Sequence, residues 1–234
     1  MTGRPKRMIA GLLLAGILCA GIAVFLWRQS QGSQECAAFD PDRVAHLEKA
    51  GWEAYYDRNW PGVLSLMVQM NRTQFCMGWF DAIVGAVDIV RAAVAFAPVD
   101  NDIAAATAHL TQFYTKARIA ASLSTDAATL AELEMDYWIV HRQLANARKV
   151  APDHIGDLEP MIAALEQLHA ALFAAPPAAI RRSAEARALA AAIVDRITGG
   201  YTADAAADWQ AIELNLRDAY RAIIPAQQAS VEVK

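Results

Sequence analysis

The residues best suited to proton transfer or ligand capture lie in one stretch, residues 132–142, which reads ELEMDYWIVHR. Within it, Glu134 and His141 carry the two side-chain types that most often exchange protons in a binding site, and Tyr137 and Arg142 add hydrogen-bond donors. On a helix the apolar line runs through Leu130, Leu133, Tyr137, Val140 and Leu144, which places Glu134, Tyr137 and His141 along its margin. At about 1.5 Å rise per residue, Glu134 and His141 stand about 10.5 Å apart, too far to bond each other. Each therefore needs a partner from a different helix. The chain offers Arg72 and Gln74 in NRTQF, Asp88 and Arg91 further on, and Tyr114, Lys116 and Arg118 in FYTKAR. One reading is a polar pocket inside a helical bundle, with Glu134 and His141 as acid-base or ligand-binding groups. The default reading is a satisfied buried network that fixes helix register.

Other chemistry is sparse. Glu166 and His169 have the Glu-x-x-His spacing of half a carboxylate-bridged di-iron site, but the second copy that such a site requires is missing. His46, His109 and His154 are scattered without ligand spacing, so neither a metal nor a cofactor is expected. HExxH, a nucleophile elbow, a phosphate-binding loop and GxGxxG are absent. Asn71-Arg72-Thr73 matches the glycosylation pattern from within a helical segment and reads as chance.

The elements that must hold these residues are helices throughout. Hydrophobic residues make up 56% of the 234, with Ala, the best helix former, prominent among them. No period-two pattern survives anywhere. Asp40-Pro41 opens a helix as cap and first residue, Asn59 opens the next, and Asp102, Ser124 or Thr125, Pro176-Pro177, and Thr202 or Asp204 open later ones. Pro98 and Gly199-Gly200 are stop signals. Residues 79–97 are apolar enough to suggest a bilayer span, but Asp81, Asp88 and Arg91 would each cost about 2.5–3.5 kcal/mol in one. A central bundle helix is expected there, with Asp88 and Arg91 able to pair on one face. Trp52, Trp60, Trp79, Trp138 and Trp209 fall at helical spacing, as core residues do. The stretch AGWEAYYDRNWPGVLSLM, residues 50–67, resembles one tetratricopeptide-type helical pair, which implies a binding scaffold; no repeat of about 34 residues follows it.

Residues 8–27, MIAGLLLAGILCAGIAVFLW, contain no charge and match the length of a membrane-spanning helix. A cleaved secretory signal is the rival, with Ser30-Gln31-Gly32 as a poor cleavage site. Basic residues at 1–7 precede the segment and acidic residues follow it, so the positive-inside rule puts the N-terminus in the cytoplasm and the rest outside. Gly11, Ala15, Cys19 and Ala23 form a small-residue stripe on which two copies can meet as a homodimer. The expected organisation is a basic N-terminus (1–7), a signal-anchor (8–27), a tether (28–39), an antiparallel multi-helix bundle or array (40–225) with its best hinge at 151–156, and a polar tail (226–234).

The net charge is −4, and the first 28 residues hold four cations and no anion, which leaves −8 on the remainder. Such a body repels phosphate backbones, so nucleic acid is not an expected partner. Exported, Cys36 and Cys76 would be free to pair; otherwise they are unpaired thiols. The sequence thus leads to an expectation of a membrane-anchored, non-enzymatic helical module that binds a protein partner in the bacterial envelope. The alternative is a small-molecule-binding protein or enzyme with its polar site around Glu134 and His141.

Overall fold

The computed structural model describes residues 39–150 and 157–232. The apolar segment 8–27, its small-residue stripe, Cys36 and the hinge at 151–156 lie outside the described residues. Among the described residues there are eight α-helices and no strand: α1 (Pro41–Tyr56), α2 (Trp60–Phe75), α3 (Trp79–Phe96), α4 (Ile103–Ala121), α5 (Ala127–Val150), α6 (Glu159–Phe173), α7 (Pro177–Thr198) and α8 (Ala205–Glu232). None of them is long and apolar enough to cross a membrane.

Short polar side chains start these helices by satisfying orphan backbone donors. The Asp40 carboxylate accepts from the Arg43 amide at 3.0 Å, Asn59 Oδ1 from Gly62 at 3.1 Å, and Asp102 from Ala105 at 2.9 Å. Asp126, not Ser124 or Thr125, caps α5, because its carboxylate reaches the amides of Ala128 and Thr129. Thr125 instead bonds the Ala171 carbonyl at 3.0 Å and ties the start of α5 to α6. The last helix does not stop before Pro225 but continues through it to Glu232.

Each helix packs on the next, and α8 returns to pack on α1, so the eight close into an antiparallel ring. Two cores result. One joins α2 through α7 around Phe75, Leu110, Phe113, Leu130 and Leu165; the other joins α1, α7 and α8 around Val44, Ile180, Ile212, Leu216 and Ile223. Helix α7 serves both, with Ala184, Ala188 and Ala191 facing the first and Ala190, Ile193 and Val194 the second. That double burial explains its Ala-rich sequence, since small side chains let neighbours approach on several sides. Gly85 does the same for α3, where an added Cβ would sit 3.2 Å from the Phe113 ring.

The charged residues of α3 do not pair with each other. Asp88 is buried and accepts from Lys116 Nζ of α4 at 2.8 Å, whereas Arg91 is exposed, because the three-residue offset points it to the outer side. The tryptophans are not uniformly core: Trp60 and Trp79 are 57% and 61% exposed, and Arg72 stacks on the Trp79 ring at 3.8 Å. Asn71 is buried and its amide donates to the Ala82 carbonyl at 3.0 Å, so it is not presented for glycosylation.

Candidate functional site

The ring encloses a cavity of about 750 Å³ to which all eight helices contribute lining side chains. Its rim is marked by the exposed lining residues Tyr55, Tyr56, Val99 and Lys149, where odd-numbered helices end. The volume falls in the range of small-molecule sites, about 300–1,000 Å³.

Helix α5 supplies the polar wall because its cavity-facing line runs through Glu134, Tyr137 and His141, at spacings of three and four, in phase with the buried core residue Leu130. The line expected from the sequence is rotated: Leu133 and Val140 turn instead toward α6. Glu134 is therefore central to the wall. Its carboxylate accepts from the Tyr114 hydroxyl of α4 at 2.9 Å and from the Trp138 indole, one turn along its own helix, at 2.7 Å. Burial pushes the Glu134 carboxyl up, against the opposing pull of the Arg187 guanidinium and these two donors. Burial likewise pushes Tyr137 up to about 12 and holds Tyr114 well above its usual range, so both remain hydroxyl donors.

Opposite this wall sits a second cluster. Arg187 of α7 donates to Glu48 of α1 at 2.8 Å and to the Tyr220 hydroxyl of α8 at 3.1 Å, and Tyr220 donates to Glu48 at 2.6 Å. The first helix and the last two thus share one ion-paired cluster. Burial works against the guanidinium, but Glu48 and the surrounding Tyr and Glu oxygens outweigh it and hold Arg187 well above its usual range. Among the described residues its Nε finds no acceptor. Nearer the rim, His141 Nε2 lies 3.0 Å from Asp195 of α7, which also accepts from the buried Arg148. The imidazole stacks on Tyr137 with ring centroids 5.8 Å apart. Arg142 covers the Phe96 face at 3.7 Å and donates to the Pro98 carbonyl.

Of the residues singled out from the sequence, Gln74, Tyr114, Glu134, Tyr137, His141 and Arg142 line the cavity. Arg72, Asp88 and Arg91 do not; the first is on Trp79, the second on Lys116 and the third exposed. Glu48, Arg187, Asp195 and Tyr220 were not singled out. Their signal was a charged or hydroxylated residue in phase with an apolar line: Ile180, Ala184, Arg187 and Ala191 on α7, and Val44, Glu48 and Trp52 on α1. Among the described residues no group of three or more His, Cys, Asp or Glu is placed to hold a metal.

His169, which also lines the cavity, is buried and its Nδ1 shares a hydrogen bond with Ser183 Oγ at 2.9 Å. Burial, reinforced by Arg187, lowers it to about 3. The unfolded chain then binds more protons than the native one between pH about 6.5 and about 3, so stability rises with pH across that window and is lost on acidification. The full loss attributable to His169 is on the order of 5 kcal/mol. Urea midpoints at pH 7, 5 and 4 should fall steeply in the native chain and less steeply in His169→Gln; parallel slopes would refute the assignment.

Cys76, in the left-handed conformation that ends α2, is disulfide-bonded. The remaining cysteines, Cys19 and Cys36, lie outside the described residues. Comparison with protein-family models, curated proteins and solved structures finds no match for this chain.

Proposed function

We propose that this protein is a membrane-tethered helical receptor that holds a small molecule in the cavity of its ring. The observation that carries the reading is the convergence of Glu134, Tyr114, Tyr137 and His141 with Arg187 and Glu48 on one aromatic-walled space of about 750 Å³. Close packing favours filling such a space with side chains, so a largely apolar void of this size with a few convergent polar groups is the default mark of a ligand site. The uncharged segment at 8–27 supports the tether, and the disulfide at Cys76 supports placement outside the reducing cytoplasm. The arrangement supports capture better than catalysis, because the acidic and basic groups are mostly engaged with each other.

The test uses the full chain in mild detergent. An environment-sensitive aromatic dye should bind saturably at one site per chain and quench the emission of the cavity tryptophans Trp52 and Trp138. Non-saturable binding that tracks detergent concentration would dispose of the receptor reading.

An outward-facing ridge favours a second role, docking on a protein partner in the envelope. On α3, Trp79, Phe80, Ile83, Val90 and Val94 are all exposed, at helical spacing along one side. Contiguous apolar surface of this kind marks interaction sites more often than it marks free surface. A photo-crosslinker at Val94 should capture a defined partner from intact cells in preference to one at exposed Thr115 on α4; equal yields at both positions would remove this role.

A further inference from the structure

The cavity is not electrically balanced. Arg187 is engaged through Nη1 by Glu48 and Tyr220, with its Nε lacking an acceptor among the described residues, and Asp195 is engaged by Arg148 and His141. Glu134 is held only by the neutral Tyr114 hydroxyl and Trp138 indole among the described residues, with no cation at ion-pair distance. The deep part of the cavity therefore has two carboxyl groups, Glu48 and Glu134, and one guanidinium. Around Glu134 the wall is aromatic: Trp138 packs on Phe96 with ring centroids 5.6 Å apart, Tyr114 on Phe113 at 5.0 Å, and Tyr137 lies one turn along. An acceptor that lacks a donor among the described residues, Gln74 Oε1, belongs to the same lining. The Phe96 ring is already covered by Arg142 and the Tyr137 ring by Arg187, so the Glu134 carboxyl with the rings of Trp138 and Tyr114 beside it forms the corner of the wall suited to an organic cation. The cations Arg142 and Lys149 stand at the rim, where Arg142 is spent on Phe96 and Pro98 and Lys149 on Asn146 in contact with water.

From this geometry we infer that the cavity takes an organic cation, a protonated amine or quaternary ammonium on an apolar body, with its charge beside Glu134 and its body along the aromatic wall. An ammonium there supplies the missing counter-charge and donates to Glu134 from the side that Tyr114 and Trp138 leave open. The inference rests on the reading of the cavity as a ligand site and adds the charge of the ligand to it.

The experiment titrates the full chain, in non-ionic detergent, with three compounds of matched size: phenethylammonium, 2-phenylethanol and 3-phenylpropionate. The ammonium should bind at least tenfold more tightly than either of the others. The preference should persist in 0.5 M salt, since buried pairs are screened far less than exposed ones. Glu134→Gln should erase the preference while the alcohol keeps its affinity. Equal binding of the three, a preference for the carboxylate, loss of the preference in salt, or a preference unchanged in Glu134→Gln would each overturn the cation assignment. In those cases saturable dye binding would leave the receptor reading standing. Binding of the dye with none of the three compounds bound also overturns the assignment, and failure of the dye as well removes both.

Discussion

Replacing Arg187 with Met lowers unfolding free energy by about 3–5 kcal/mol, because it strands the buried carboxylate of Glu48 without a counter-charge. Glu48 is 4% exposed and has Arg187 and the Tyr220 hydroxyl as its polar contacts. The lost volume is small, since Met follows the same path as the arginine stem. Electrostatics, not packing, therefore sets the cost. The same reasoning makes the double variant Glu48→Gln/Arg187→Met more stable than Arg187→Met alone, with at least half of the loss recovered. Urea denaturation of the wild type, both single variants and the double variant measures this coupling. A loss below about 1 kcal/mol in Arg187→Met, or simple additivity in the double variant, would show that the three-helix cluster contributes little.

Gly51→Phe should reduce dye and ligand affinity by tenfold or more without unfolding the chain. Gly51 lies on α1, lines the cavity, and has open space for 4 Å around the position a Cβ would occupy. A benzyl group placed there starts from clear space at Cβ beside the void. Glycine inside a helix costs about 0.5–1 kcal/mol relative to alanine, so the substitution relieves a local penalty while filling the binding space. Gly51→Ala is the control: it should gain the helix benefit and keep the ligand. Thermal melts alongside titrations separate the two effects. Retained affinity in a well-folded Gly51→Phe would mean that the ligand sits elsewhere.

Sequence and structure agree best where the information is local. Asp40-Pro41, Asn59 and Asp102 mark helix starts because a capping side chain needs only the amides two or three residues ahead. The Gly199-Gly200 stop is legible for the same reason, with Gly200 in the left-handed region at φ 77°. The cap of α5 was misplaced by one or two residues, since Ser124, Thr125 and Asp126 are adjacent and all have the required chemistry. The site was half legible. Tyr114 stands among several candidate partners that the sequence offers Glu134, and the structure has the hydrogen bond between these two. Arg187 and Glu48 could not be paired in advance, because their partnership spans most of the domain and depends on α8 meeting α1, which no local periodicity encodes. The rotation of α5 that brings Glu134 from the margin to the middle of the wall is likewise decided by the neighbours on either side of it.

The return of α8 to α1 has a consequence for how the domain comes apart. In an open stack of helical hairpins the end units have a neighbour on one side only and fray first. Here the Tyr220–Glu48 bond and the bidentate Arg221–Asp42 pair seal the first and last helices together, so every helix has two flanking neighbours. Among the described helices neither end stands without a neighbour, and opening the ring anywhere exposes the cavity wall at once. Its stability is that of a hoop, held at all joints or at none.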